Sequence, residues 1–155
     1  MAPLIILIVG FVLIFLINNY ILNRRLKLSV VGRMALAMML IFTAIAHFTK
    51  TDLMVEMLPE LIPLKKQTIY FTDILEFIAS FGLLIRNYAK TTSIILFLFF
   101  LAILPANIVG SLKEVQLGGM QNGVGYLIFR IPLQLLFIGW TYYFGIRLNN
   151  VPANF

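Results

Sequence analysis

The chain of 155 residues is 61% hydrophobic and only 12% charged, with a mean hydropathy of +0.99, whereas a soluble domain is nearer half apolar and a quarter charged. This is the composition of an integral membrane protein, and the formal charge of +6 sits in short gaps between apolar runs, as membrane topology requires, and not in a nucleic-acid patch. The absence of cysteine excludes disulfides, thiol redox chemistry, iron–sulfur clusters and covalent haem, and the single histidine, His47, excludes a bis-histidine haem within one chain.

Pro3–Leu22 is the first expected span, almost wholly Leu, Ile, Val and Phe. No basic residue precedes it and no small-residue cleavage site follows, so it reads as an uncleaved anchor. Asn23-Arg24-Arg25-Leu26-Lys27 then holds that end in the cytoplasm and puts the N-terminus outside. Val31–Phe48 is the second span, with Arg33 snorkelling at its inner end and His47 at its outer end. In Thr49–Lys66, apolar residues alternate with acids, which predicts a short helix on the outer surface or a lid over a cavity, ended by Pro59 and Pro63.

Gln67–Arg86 is the third span, and a basic turn, Arg86–Lys90, leads to the fourth, Thr92–Leu112. Pro105 within the fourth frees the carbonyl of Leu101. Lys113–Gly125 is an outer loop containing Leu117-Gly118-Gly119-Met120, and Tyr126–Arg147 is the fifth span, ending inside. Seven basic residues fall on the inner side (Arg24, Arg25, Lys27, Arg33, Arg86, Lys90, Arg147) and four on the outer (Lys50, Lys65, Lys66, Lys113), in agreement with an N-out, C-in orientation. The expected architecture is one all-α transmembrane domain of five helices.

The polar residues of these spans gather at one depth. At ~1.5 Å per residue, Asp73 lies roughly 9 Å and Glu76 roughly 13 Å below the outer end of the third span, one turn apart on one face. Arg130 lies roughly 6 Å below the outer end of the fifth span with Gln134 a turn deeper, and Asn107 roughly 8 Å below the outer end of the fourth. With His47, six polar side chains from four helices fall in the outer half: His47, Asp73, Glu76, Asn107, Arg130 and Gln134. An intramembrane ionisable residue points to function by default. The bland alternatives are a structural Glu76–Arg130 ion pair, an interfacial His47, an Asn107 that satisfies the backbone freed by Pro105, a Gln134 that bonds across helices and a Trp140 that packs or anchors. Two carboxylates against one arginine leave a charge over, so the cluster is expected to hold a proton on Glu76, Asp73 or His47. One histidine and two acids lack the usual ligand set for a metal, and no cofactor motif occurs.

The pieces Gly32-Arg33, Ala46-His47-Phe48, Met54-Val55-x-Met57-x-Pro59, Ile74-Leu75-Glu76, Gly82-Leu83-Leu84, Leu104-Pro105-Ala106-Asn107, Leu117-Gly118-Gly119 and Arg130-x-Pro132-Leu133-Gln134 come in one order over roughly residues 30–147. In this the chain resembles the DoxX family of small bacterial membrane proteins. The resemblance implies a four-helix core preceded by an added N-terminal helix. Its polar positions fall on His47, Glu76, Asn107, Arg130 and Gln134. DoxX proteins usually have glycine before the Ile-Leu-Glu triplet, where this chain has Asp73. The family name comes from a subunit of an archaeal thiosulfate:quinone oxidoreductase, so the resemblance implies a bacterial plasma-membrane protein with a redox or quinone-associated role as a subunit, and quinone as the one implied cofactor.

Two functions are therefore expected, a subunit with a quinone- or lipid-like ligand in the outer polar pocket, or a non-enzymatic interaction protein whose cluster is structural. A proton-coupled carrier lacks a polar path through the inner half. The expected partners are the lipid bilayer, a membrane or peripheral redox protein, and a second copy of the chain, with no nucleic acid.

Overall fold

Apolar residues all round a helix suit it to lipid or to a protein core, and a stripe of polar residues turns it inward. Both kinds occur in the computed structural model, which describes residues 2–58, 60, 62–116 and 122–149. The elements are α1 (Ala2–Tyr20), α2 (Leu28–Thr49), α3 (Thr51–Met57), α4 (Lys65–Gly82), α5 (Ala89–Leu112) and α6 (Val124–Trp140), with α6 running on into a π-helical turn, Thr141–Arg147. Among the described residues there is no strand. Pro59, the Leu117–Met120 segment and the tail from residue 150 lie outside them.

Four helical stretches are long and apolar enough to cross a membrane: α1, α2, α5 and the continuous Val124–Arg147. The helix expected over Gln67–Arg86 is not among them. It starts at Lys65 and stops at Gly82, and it carries Lys65, Lys66, Asp73 and Glu76 within 18 residues. Leu83 follows in helical geometry, its amide donating to the Ala79 carbonyl at 3.0 Å, and is fully buried in the core. The other expected spans shift by one to three residues at most ends.

α2 is the central element. It packs against α1 on one side, α4 on another and the π turn at its beginning. Val31, Ala35, Leu36, Met39 and Leu40 are buried along it, and Leu36 and Leu40 share a core with Leu7, Leu96, Phe100, Leu133 and Phe137. The α1–α2 turn is closed by one side chain. Asn18 Nδ2 donates to the Leu26 carbonyl and Asn18 Oδ1 accepts from the Leu26 amide, both at 2.9 Å.

The bundle end that holds the π turn is tightly shut. A Cβ on Gly32 would stand 2.2 Å from Phe144 Cγ, and one on Gly145 would stand 2.2 Å from Ser93 Oγ. Trp140 Nε1 donates to the Gly32 carbonyl at 3.0 Å, and its ring meets Phe11 edge-on at 5.1 Å. This is the packing role expected of Trp140. Arg33 is buried at the same end and its Nε donates to the Ser29 carbonyl at 3.2 Å, so it runs toward the helix start while packed inside protein.

At the other end α3 lies across α4 and α5. Met54 packs with Val115 and Tyr126, Thr51 Oγ1 donates to the His47 carbonyl at 3.1 Å, and Lys66 Nζ donates to Asp52 at 3.1 Å. The short helix expected in this segment is present as α3, packed against α4 and α5.

Gly32→Val should overpack the shut end and cost roughly 1–3 kcal/mol, read as a lower thermal midpoint in detergent. Gly139→Ala should leave the midpoint unchanged, because a Cβ there meets nothing within 4 Å.

Candidate functional site

The polar residues of four helices meet near the end that α3 covers. α2 presents Thr43 and His47 four residues apart, α4 presents Asp73 and Glu76 three apart, α5 presents Asn107, and α6 presents Arg130 and Gln134 four apart. Each spacing stacks side chains on one helix face. All six residues singled out from the sequence are thus brought to the same end of the bundle, but in two groups.

The acidic group joins α2 to α4. His47 Nδ1 stands 3.0 Å from Asp73 Oδ1 and 3.9 Å from Glu76 Oε2. Thr43 Oγ1 is 3.0 Å from the Leu40 carbonyl and 3.4 Å from Glu76 Oε2, so its one proton has two acceptors in reach. Asp73 and Glu76 are 2% and 5% exposed, whereas the His47 side chain is 31% exposed. The imidazole is the outward side of this group.

The amide and arginine group joins α5 to α6. Arg130 Nη2 donates to Asn107 Oδ1 at 2.8 Å, Asn107 Nδ2 donates to Gln134 Oε1 at 3.4 Å, and Gln134 Nε2 donates to the Phe100 carbonyl at 2.9 Å. Asn107 does not take the expected role, because its side chain is engaged by α6. Asn107 bonds side chains of α6, and it is Gln134 that reaches back to the α5 backbone, at Phe100 beside the carbonyl of Leu101.

A direct Glu76–Arg130 ion pair does not form. Among the described residues, the acids of the site pair with His47, and Arg130 acts on Glu76 and His47 through its charge alone. The packing explains this. α6 lies against α5, so Asn107 is the acceptor within reach, while α4 lies against α2. Among the described residues, two buried side-chain atoms have no hydrogen-bond partner, Asp73 Oδ2 and Arg130 Nε. One is an acceptor on the acidic group and the other a donor on the opposite group. Buried polar atoms are almost always paired, and an unpaired one calls for a ligand, a water or an ion. The acidic group offers an acceptor and the opposite group a donor.

A family model described as a domain of unknown function, DUF8561, matches residues 36–145. The chain belongs to the DUF8561 family. No curated protein and no solved structure matches it. The DUF8561 match takes in every residue of both polar groups and leaves out α1.

One member of this DUF8561 site was not singled out from the sequence. Thr43 is an unremarkable residue in an apolar helix, and its signal was positional: it precedes His47 by one turn. Gln134→Leu should unpair both the Phe100 carbonyl and the Asn107 amide. The expected cost is about 1–3 kcal/mol, read as a fall in thermal midpoint. Gln134→Glu should not rescue it, because a carboxylate cannot donate to the Phe100 carbonyl and would bury a charge.

Proposed function

We propose that this is a five-span membrane protein, N-terminus outside and C-terminus inside, that holds the polar head of a quinone- or lipid-like amphiphile between its two polar groups. The observation that carries the reading is the pair of buried, unpartnered atoms, Asp73 Oδ2 and Arg130 Nε. They are complementary in hydrogen bonding and belong to helix pairs that hold them apart. An acceptor and a donor so placed suit a head group that offers both.

The fifth crossing is α4. At ~1.5 Å per residue its 18 residues reach about 27 Å. It starts beside α3, where Lys66 meets Asp52, and ends where Gly82 closes on Thr92 near the start of α5. Its lysines stand at its first turn, and its two carboxylates turn into the protein. The orientation is supported by the distribution of arginine and lysine. The resemblance to DoxX proteins supports a place in a bacterial plasma membrane, as a subunit or accessory of a redox assembly and not as an enzyme acting alone.

A second reading has its own support. The chain Arg130–Asn107–Gln134–Phe100 ties α5 to α6, and a bundle with such a clasp could serve as a scaffold whose polar cluster only holds helices together. The two readings part on ligand content. Asp73→Asn and Arg130→Gln should leave a folded protein that retains at least tenfold less co-purifying quinone or lipid, measured by mass spectrometry after mild extraction. Unchanged content, or loss of stability with no ligand in the parent protein, would favour the scaffold.

The orientation is tested separately, since the chain has no native cysteine. Lys113→Cys should react with a membrane-impermeant maleimide on intact spheroplasts, and Asn87→Cys only after permeabilisation. The reverse pattern would invert the topology.

A further inference from the structure

The two ends of the bundle differ in charge. All six acids lie toward the α3 end: Asp52, Glu56 and Glu60 in or after α3, Asp73 and Glu76 in the polar site, and Glu114 just past α5. The shut end, where the π turn packs on the starts of α2 and α5, carries seven of the twelve lysines and arginines and no acid. Among the described residues, none of these seven cations has a carboxylate partner. Orientation in a membrane accounts for such a bias, but not for how an individual side chain is held.

One of the seven is held in place. The end of α1 and the start of α2 enclose a cleft of about 320 Å³, lined by Phe15, Asn18, Asn19, Arg24, Leu26 and Leu28. Arg24 is the one charged residue of that lining. Its backbone is left-handed, with φ +61°, straight after Asn23 at +48°, a conformation that a residue with a Cβ seldom adopts. Its side chain turns back onto α1, where Nε donates to Asn19 Oδ1 at 2.7 Å. The two Nη groups have no acceptor among the described residues. Asn18, behind it, is spent on the Leu26 backbone and fixes the turn.

The cleft is graded along the span. Phe15 lies a turn inside α1 and Leu26 and Leu28 are apolar, while Asn19 and Arg24 stand at the helix end. Phe15 and Leu28 are 44% and 42% exposed, so the cleft opens outward. We propose that this cleft binds one anionic phospholipid of the adjoining leaflet, with its phosphate on the Arg24 guanidinium and the first carbons of its acyl chains against Phe15 and Leu28.

Charge complementarity names the occupant. A guanidinium presents its N–H groups as a fixed fork that fits two phosphate oxygens. Arg25 and Lys27, in the same turn but outside the lining, add attraction for an anionic head group. The apolar floor separates a phospholipid from a free phosphate, which would gain nothing from Phe15, Leu26 and Leu28. The site lies ahead of residues 36–145, which the family model matches. It depends neither on the polar chamber at the other end nor on which way the chain is oriented.

The test uses the full chain in detergent, titrated with phosphatidylglycerol or with phosphatidylcholine of the same acyl chains and read by native mass spectrometry. Phosphatidylglycerol should give one bound lipid at a concentration roughly fivefold lower. Arg24→Gly suits the left-handed backbone, so its thermal midpoint without lipid should equal or exceed that of the parent, while the preference for phosphatidylglycerol is lost. Leu28→Trp fills the cleft from an exposed position and should weaken binding by roughly as much with all seven cations in place. Arg25→Gln, outside the cleft, should cost less than about twofold. Equal losses in Arg24→Gly and Arg25→Gln would make the attraction diffuse and overturn the site, as would parental binding in Leu28→Trp. Inorganic phosphate should leave the parental midpoint unchanged. A rise equal to that given by phosphatidylglycerol would make a free anion the occupant and overturn the lipid.

Discussion

Two carboxylates three residues apart on one apolar helix are the constraint from which the arrangement of this bundle follows. A charge at mid-membrane depth costs several kcal/mol unless it finds a partner, a proton or water. Asp73 and Glu76 find His47 and Thr43 on α2, and that need turns the polar face of α4 toward α2. The rest of α4 is left with Ile74, Leu75, Phe77, Ile78 and Phe81 facing outward. A helix too polar to cross a membrane by composition is thus given an apolar exterior by the direction of its acids.

The same logic applies to α5 and α6. Arg130 cannot be neutralised by losing its proton, and it takes Asn107 as its partner because α6 packs on α5. Gln134 then completes the clasp to the Phe100 carbonyl. Each helix pair satisfies its polar groups internally, and the two pairs are joined by packing of small against large residues. Gly32 under Phe144 and Gly145 beside Ser93 bring α2, α5 and the π turn together at one end. The unpaired atoms lie at the opposite end, with the polar groups.

This division gives the polar cluster a chemical character that neither half has alone. The acidic group offers oxygens and an exposed imidazole, and the other group offers a guanidinium fixed by an amide. One group is left with an unpaired acceptor and the other with an unpaired donor.

Membrane character, the approximate helix ends and the gathering of His47, Asp73, Glu76, Asn107, Arg130 and Gln134 at one end were all legible in the chain. Hydropathy and a rise of ~1.5 Å per residue suffice for these, because helices crossing one slab share a depth scale. Partner choice was not legible. Depth says nothing about which helices are neighbours, so the charges alone matched Glu76 with Arg130, and Asn107 looked bound to its own backbone. Only the packing of α2 on α4 and α5 on α6 decided those pairs. Thr43 as a member of the site likewise depends on contacts between segments far apart in the chain, which residue type and spacing do not encode.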